Sequence, residues 1–220
     1  MDDVAQHLAA LYGSPPALSF QTRIELERPA TYPEENLVLG RRQEQALLES
    51  WMGSVEDQSL LDVGCGRGRW ALELARAGAR VVGVDWVPVF SRQARSAVRR
   101  GDLALVAGDV RDLRTAPEEP VFDLAILREV VQDYELAEAE SLFTALARLE
   151  IPRLLLTLRQ ETRWNWVLGN LYPEGLGGTV NFHRLLRTIH LSSPYRLTRR
   201  QEVRRRNFSS LVVEMTRFET

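Results

Sequence analysis

Lysine is absent: all 28 basic side chains are arginine. That excludes a Schiff-base or lysine-nucleophile enzyme, because both need an amine that can shed its proton. A single cysteine, Cys65, excludes an intrachain disulfide, and one thiol beside three histidines is too few for a cysteine-based zinc cluster. No apolar run approaches the roughly 18 residues that a membrane span requires. Met1-Asp2-Asp3 has neither the basic nor the apolar region of a secretory signal. A cytoplasmic protein without a membrane span is therefore expected. The net charge of -2 also speaks against a general nucleic-acid binder, which would show a clear basic excess.

Charge is distributed unevenly. Residues 107–150 hold four Arg against eleven acids, whereas 195–220 hold seven Arg against three Glu. The basic tail is thus a separate question. With 220 residues and 45% apolar composition, the chain suits one α/β unit with embellishments.

Its most informative stretch is Ser59 to Gly68, SLLDVGCGRG, an apolar run that breaks into alternating glycines at 64, 66 and 68 and leads into a helical pattern. Such a strand, glycine loop and helix let a ligand approach the backbone, and the first helical turn offers free N–H groups. Cys65 within the loop is a small residue filling a tight turn, or else a nucleophile.

Before this stretch, residues 2–12 can form a short helix stopped by Gly13-Ser14-Pro15-Pro16, and 17–40 show weak periodicity. Residues 1–42 read as an N-terminal cap or lid, with 43–220 the main globular unit. Tyr32, like Tyr12 and Phe20, either lines a substrate cavity or packs on the core. A helix is expected over 43–52 and another over 67–77, stopped by Gly78. Strands are expected at 80–85, 103–107, 121–127 and 153–158, with helices from Pro88 to about Arg100 and from Glu135 to Leu149. After an aromatic, glycine-rich excursion over 159–178 come a helix at 179–191 and two long runs in 195–217, read as an edge hairpin. The fold class is α/β: a Rossmann-like, seven-stranded, mostly parallel sheet with a C-terminal antiparallel hairpin and helices on both faces.

Ligands of such sheets bind beyond the carboxyl ends of the strands, where strand order reverses. The G-x-G-x-G spacing with Asp62 before it departs from the G-x-G-x-x-G of dinucleotide binders, so NAD becomes the minor reading. Asp85 closes the second strand, 23 residues after Asp62; an acid there can accept from both ribose hydroxyls. Asp109 ends the third strand, where its carboxylate can accept from the amine of adenine and the Val110 amide can reach a ring nitrogen. Trp86 and Val110 could sandwich the ring. Each has a plainer role as well: Asp62 could cap the glycine loop, Asp109 the turn near Arg111, and Trp86 could be core.

Taken together, Leu60 to Val87 resembles the first βαβ unit of class I S-adenosylmethionine (SAM) dependent methyltransferases. Gly108-Asp109-Val110 resembles their adenine-contact loop, and Phe122 to Asp133 their fourth strand and following turn. The resemblance spans residues 43–218. It implies SAM as methyl donor, S-adenosylhomocysteine (SAH) as product, and backbone contacts from Gly64, Cys65, Gly66 and Gly68. It also implies methionine contacts from Leu127 and Arg128 after the fourth strand. The run ILREVVQD lacks the Asn/Asp-Pro-Pro-aromatic pattern of amino-directed DNA, RNA or protein methylases and is closer to the small-molecule branch. A small, possibly aromatic acceptor is expected.

Methyl transfer from a sulfonium is an in-line displacement, so alignment and desolvation supply much of the acceleration, and a base is needed only if the acceptor loses a proton. Val131-Gln132 offers no histidine where the small-molecule branch has one, which leaves His183 as the candidate base. Trp164 and Trp166 could stack a flat ring, with Asn165 or Asn170 bonding its polar edge, or the tryptophans could pack an extra helix. No metal site is expected. Two alternatives stand beside this reading: an RNA methyltransferase docking through the C-terminal arginine strand, and a non-catalytic SAM-fold partner protein. Strand alternation would put Arg196, Thr198, Arg200, Glu202, Arg204 and Arg206 on one polar outer face.

Overall fold

A computed structural model describes residues 34–66, 68–85, 102–113, 122–131, 134–159, 182–204 and 209–218. Five strands run parallel: β1 (Ser59–Val63), β2 (Arg80–Asp85), β3 (Leu103–Ala107), β4 (Leu124–Arg128) and β5 (Arg153–Arg159). Strands β6 (Tyr195–Arg204) and β7 (Ser209–Arg217) form the hairpin, and β7 inserts antiparallel between β5 and β6. The order β3-β2-β1-β4-β5-β7-β6 makes a seven-stranded Rossmann-like sheet whose direction of winding reverses between β1 and β4.

Both faces are covered, which is why the central strands read as near-continuous apolar runs. Leu60, Val81, Leu124 and Ile126 pack with Leu48, Trp51, Trp70 and Leu74 from helices α1 (Glu34–Met52) and α2 (Arg69–Arg76). Leu61, Val63, Val82 and Val84 point the other way, toward Leu142, Phe143 and Leu146 of α3 (Leu136–Arg148) and Leu185 and Ile189 of α4 (Phe182–Ser192). By the same alternation, Asp62, Asp85 and Arg128 project on the α1/α2 face.

Helix α1 begins at Glu34 rather than Gln43 and runs unbroken across the 42/43 boundary. Gly40 within the first half of this helix weakens the local helical signal by about 1 kcal/mol, and packing of the later turns overrides it. Arg153 fastens α1 to the sheet: its Nη2 donates to Trp51 O at 3.1 Å and to Glu214 Oε1 at 2.7 Å. The start of the hairpin is anchored by Tyr195, fully buried, whose hydroxyl donates to the carbonyls of Leu146 (3.0 Å) and Ile151 (2.9 Å). Burial pushes this phenol well above its usual range.

The single arginine-rich face does not form. A β-bulge between Leu197 and Arg199 adds a residue to β6, so that Leu197 faces Met215 and Arg199 faces Glu214. One extra residue reverses the alternation beyond it. Arg196 then lies opposite Thr216, whereas Arg200 and Glu202 lie opposite Val213 and Leu211 on the other face. Arg199, moved to the α1 side, stacks over the Trp51 ring at 4.5 Å from its centroid.

Candidate functional site

The loop from β1 to α2 takes a shape that L side chains resist. Gly64, Gly66 and Gly68 all have left-handed backbones, with φ of 69°, 56° and 67°. At Gly64 the constraint is doubled, since a Cβ would stand 2.4 Å from Val130 Cγ2 in the loop after β4. At Gly66 a Cβ would meet no atom within 4 Å. The loop is therefore pressed against β4 on one side and open on the other. Gly64 N and Cys65 N both donate to Val84 O, at 2.7 and 3.2 Å, which ties the loop to β2.

Asp85 closes the arrangement: its Oδ2 accepts from the Gly66 N–H at 2.8 Å. Asp62 is buried at the end of β1, and its carboxyl is pushed up to about 7, chiefly by burial, with Arg128 opposing the shift and Asp85 adding to it. Arg128, at the end of β4, lays its guanidinium over the Trp70 ring, 4.4 Å from the centroid. Two acids, one arginine and a left-handed glycine loop thus converge at the switch point between β1 and β4. The open side of Gly66 and the carboxylate of Asp85 suit a ligand that presents hydroxyls to the acid and polar groups to the loop backbone.

Cys65 is a packing residue. A Cβ on Gly83 would sit 2.9 Å from its Sγ, and burial together with Asp62 and Asp85 pushes the thiol far above its usual range. Asp109 caps the 3-10 turn Val110–Asp112 by accepting from Arg111 N at 2.8 Å, and its carboxylate also accepts from Arg111 Nε at 2.8 Å. The side chains of Val110 and Leu127 belong to the α3/α4 core.

His183 is exposed in the first turn of α4, its ring 6.1 Å from that of Phe182. The helix packs on α3 and β6. Tyr32, Trp86, Trp164, Asn165, Trp166 and Asn170 lie outside the described residues. Three relationships escaped sequence reasoning: the Trp70–Arg128 stack, the Val130–Gly64 contact and the left-handed backbone of Glu129, φ 54°. The first two join residues whose pairing depends on which strands are neighbours, and the third accompanies the bond from Glu129 N–H to Thr157 on neighbouring β5. No helix among the described residues is long and apolar enough to cross a membrane.

Comparison with known proteins follows the same outline. Residues 60–152 match the methyltransferase domain family. A 23S rRNA uracil-C5 methyltransferase of Shewanella woodyi is 41% identical over 54 residues, covering 24% of this chain and 12% of its own. A magnesium-protoporphyrin O-methyltransferase of Rhodobacter capsulatus is 29% identical over 121 residues, 52% of either chain. The chain therefore spans a small part of the first relative and about half of the second. Among solved structures, magnesium protoporphyrin IX methyltransferase of Synechocystis with bound SAH superposes with a TM-score of 0.69 at 21% identity, covering 98% of this chain and 95% of that one. The 1,6-didemethyltoxoflavin N1-methyltransferase of Burkholderia thailandensis gives 0.65 at 18% identity, covering 95% and 94%. The family match runs from β1 to the residue before β5, the span that holds the glycine loop and the acid-ended strands, and the superpositions show that the chain shares the fold of these methyltransferase structures.

Proposed function

We propose that this chain transfers the methyl group of SAM to a small acceptor built on a flat conjugated ring. The observation that carries the donor assignment is the Asp85–Gly66 bond beside the open face of Gly66: a ribose hydroxyl pair can reach the one, and the ligand backbone can lie along the other. In this reading Asp85 holds the ribose, Asp109 and the Val110 amide meet adenine with Trp86 beside them, and Asp62, Gly64, Cys65, Gly66, Gly68, Leu127 and Arg128 surround the methionine part. SAM, when bound, supplies an electrophilic methyl on a sulfonium. The chain supplies alignment and exclusion of water.

The acceptor assignment draws support from two relatives whose names specify a magnesium protoporphyrin and a didemethyltoxoflavin, both flat ring systems. Tyr32, Trp164, Asn165, Trp166 and Asn170 are the proposed acceptor contacts, and His183 is proposed as a base if its helix turn reaches the ring. A cytoplasmic location is part of the same proposal. Incubation with methyl-labelled SAM and a panel of 1-naphthol, 1,6-didemethyltoxoflavin and magnesium protoporphyrin tests it. Label in a ring acceptor is expected; SAH binding without transfer to any of them would remove the flat-ring assignment.

Docking of RNA through the arginine strand has the short rRNA-methyltransferase match in its favour. The β6 bulge speaks against it, because it divides Arg196 and Arg199 from Arg200 across the two faces. Salt-dependent RNA binding lost on neutralising Arg196, Arg199 and Arg200 would revive that reading.

A further inference from the structure

We propose that Arg111 sets how this site reads the adenine of its methyl donor: it engages both carboxylate oxygens of Asp109, so that the base is recognised by backbone and shape and not by its exocyclic amine. This rests on the methyltransferase reading and sharpens it, since Asp109 then meets adenine as a wall of the pocket and not as the acceptor of its amine.

The sheet places the acid. Asp109 follows β3 at the carboxyl edge, one strand out from Asp85, and the two strand ends are tied where Gly108 N–H donates to Asp85 O at 3.0 Å. An acid in this position can take the amine of a purine only if it has an oxygen lone pair left to offer.

Arg111 takes up those lone pairs. Oδ1 of Asp109 accepts from Arg111 N at 2.8 Å and from Arg111 Nε at 3.0 Å, and Oδ2 accepts from Nε at 2.8 Å and from Nη2. A carboxylate oxygen has two good acceptor positions, and a single residue supplies two contacts to each. Such a guanidinium pair is charge-assisted and bidentate, among the stronger hydrogen-bond arrangements that proteins form. With side-chain exposures of 8% for Asp109 and 26% for Arg111, it is also sheltered from the water that weakens open pairs. The neutral amine of a base brings a weaker bond and does not displace it.

The turn that carries the pair is fixed as well. Val110 is buried in the α3/α4 core, Asp112 N and Leu113 N close the 3-10 turn onto Asp109 O and Val110 O, and Arg148 of α3 donates from Nη2 to Arg111 O at 3.3 Å. Rotating the carboxylate toward a ligand breaks the cap on Arg111 N that starts this turn. Val110 is the first residue of the turn, and its N–H is one that the turn itself does not use. That amide is the donor left for a ring nitrogen.

The test uses the full chain and calorimetric titration with SAH and with 6-deamino-SAH, the analogue in which hydrogen replaces the 6-amino group. The unaltered chain is expected to bind the two within about threefold of each other, whereas an amine held by an ionised carboxylate would be worth about tenfold or more. Arg111→Ala and Arg111→Met release the carboxylate, so in these variants the preference for SAH should rise to about tenfold or more. A loosened turn weakens both ligands alike and leaves their ratio where it was. A preference for SAH beyond about threefold in the unaltered chain overturns the proposal. So does a ratio that stays within about threefold in both variants while they still bind SAH, because Asp109 would then not face the base. If neither variant binds SAH, the ratio in the unaltered chain decides. An unaltered chain that binds neither ligand overturns the functional reading itself and the Arg111 role with it.

Discussion

The carboxylate of Asp85 at the end of β2 accepts a hydrogen bond from the backbone N–H of Gly66, 2.8 Å away in the loop after β1. One side chain therefore braces the glycine loop and stands where a ribose would bind. Removing it loosens the loop and deletes the hydroxyl acceptor together. For Asp85→Ala we expect SAM affinity to fall at least tenfold, about 1.4 kcal/mol, in a calorimetric titration. Unchanged affinity would remove the ribose assignment.

Gly64 and Val130 join the donor loop to the β4 loop. Gly64→Ala forces a methyl group to within 2.4 Å of Val130 Cγ2 at a φ of 69°. A loss of about 2 kcal/mol is expected in urea unfolding, from overpacking and left-handed strain together. Adding Val130→Ala should recover the overpacking part and not the strain part. A double variant no more stable than Gly64→Ala would show that the two loops are not in close contact.

Asp62 makes the protein sensitive to pH. Its carboxyl titrates near 7 in the folded state against an ordinary value of 3.8, because burial outweighs Arg128. The folded state thus binds more protons than the unfolded state between those values, and stability falls as pH rises through that window. Asp62→Asn should flatten this slope and raise stability at pH 8 by a few kcal/mol, an order-of-magnitude figure. An identical pH profile in the two proteins would mean that Asp62 ionises freely.

Cys65 should be a poor nucleophile. Burial and two neighbouring acids hold its thiol protonated, so alkylation by iodoacetamide at pH 8 should be slow in the folded protein and fast in urea. Rapid folded-state alkylation would contradict this placement.

The sheet was legible because its signals are local. Arg80–Asp85 and Leu103–Ala107 are β-branched or apolar runs closed by turns, and the expected strands coincide with the observed ones. Glu135 to Leu149 was equally readable: Glu135 and Glu138 form a capping box around a helix whose apolar residues recur at helical spacing. The start of α1 was hidden because Gly40 and Pro33 break the local helical signal before the periodic turns from Gln43 onward. The β6 bulge was invisible for a different reason: alternation in Arg196–Arg204 looks the same with or without an extra residue until the partner strand is known. Within the site, the glycines and strand-end acids could be read from spacing. Arg128 on Trp70 and Glu129 on Thr157 could not, because β4 meets β1 and β5 only through the crossover order.

We propose that the β1–β4 switch point binds a methyl donor that this chain uses. The most direct test follows labelled methyl from SAM into 1-naphthol, 1,6-didemethyltoxoflavin or magnesium protoporphyrin, with the unaltered chain and Asp85→Ala side by side. We predict incorporation by the former and, at SAM concentrations below its dissociation constant, a loss of about tenfold or more in the latter. Absence of both SAH binding and methyl incorporation in the unaltered chain would contradict the account.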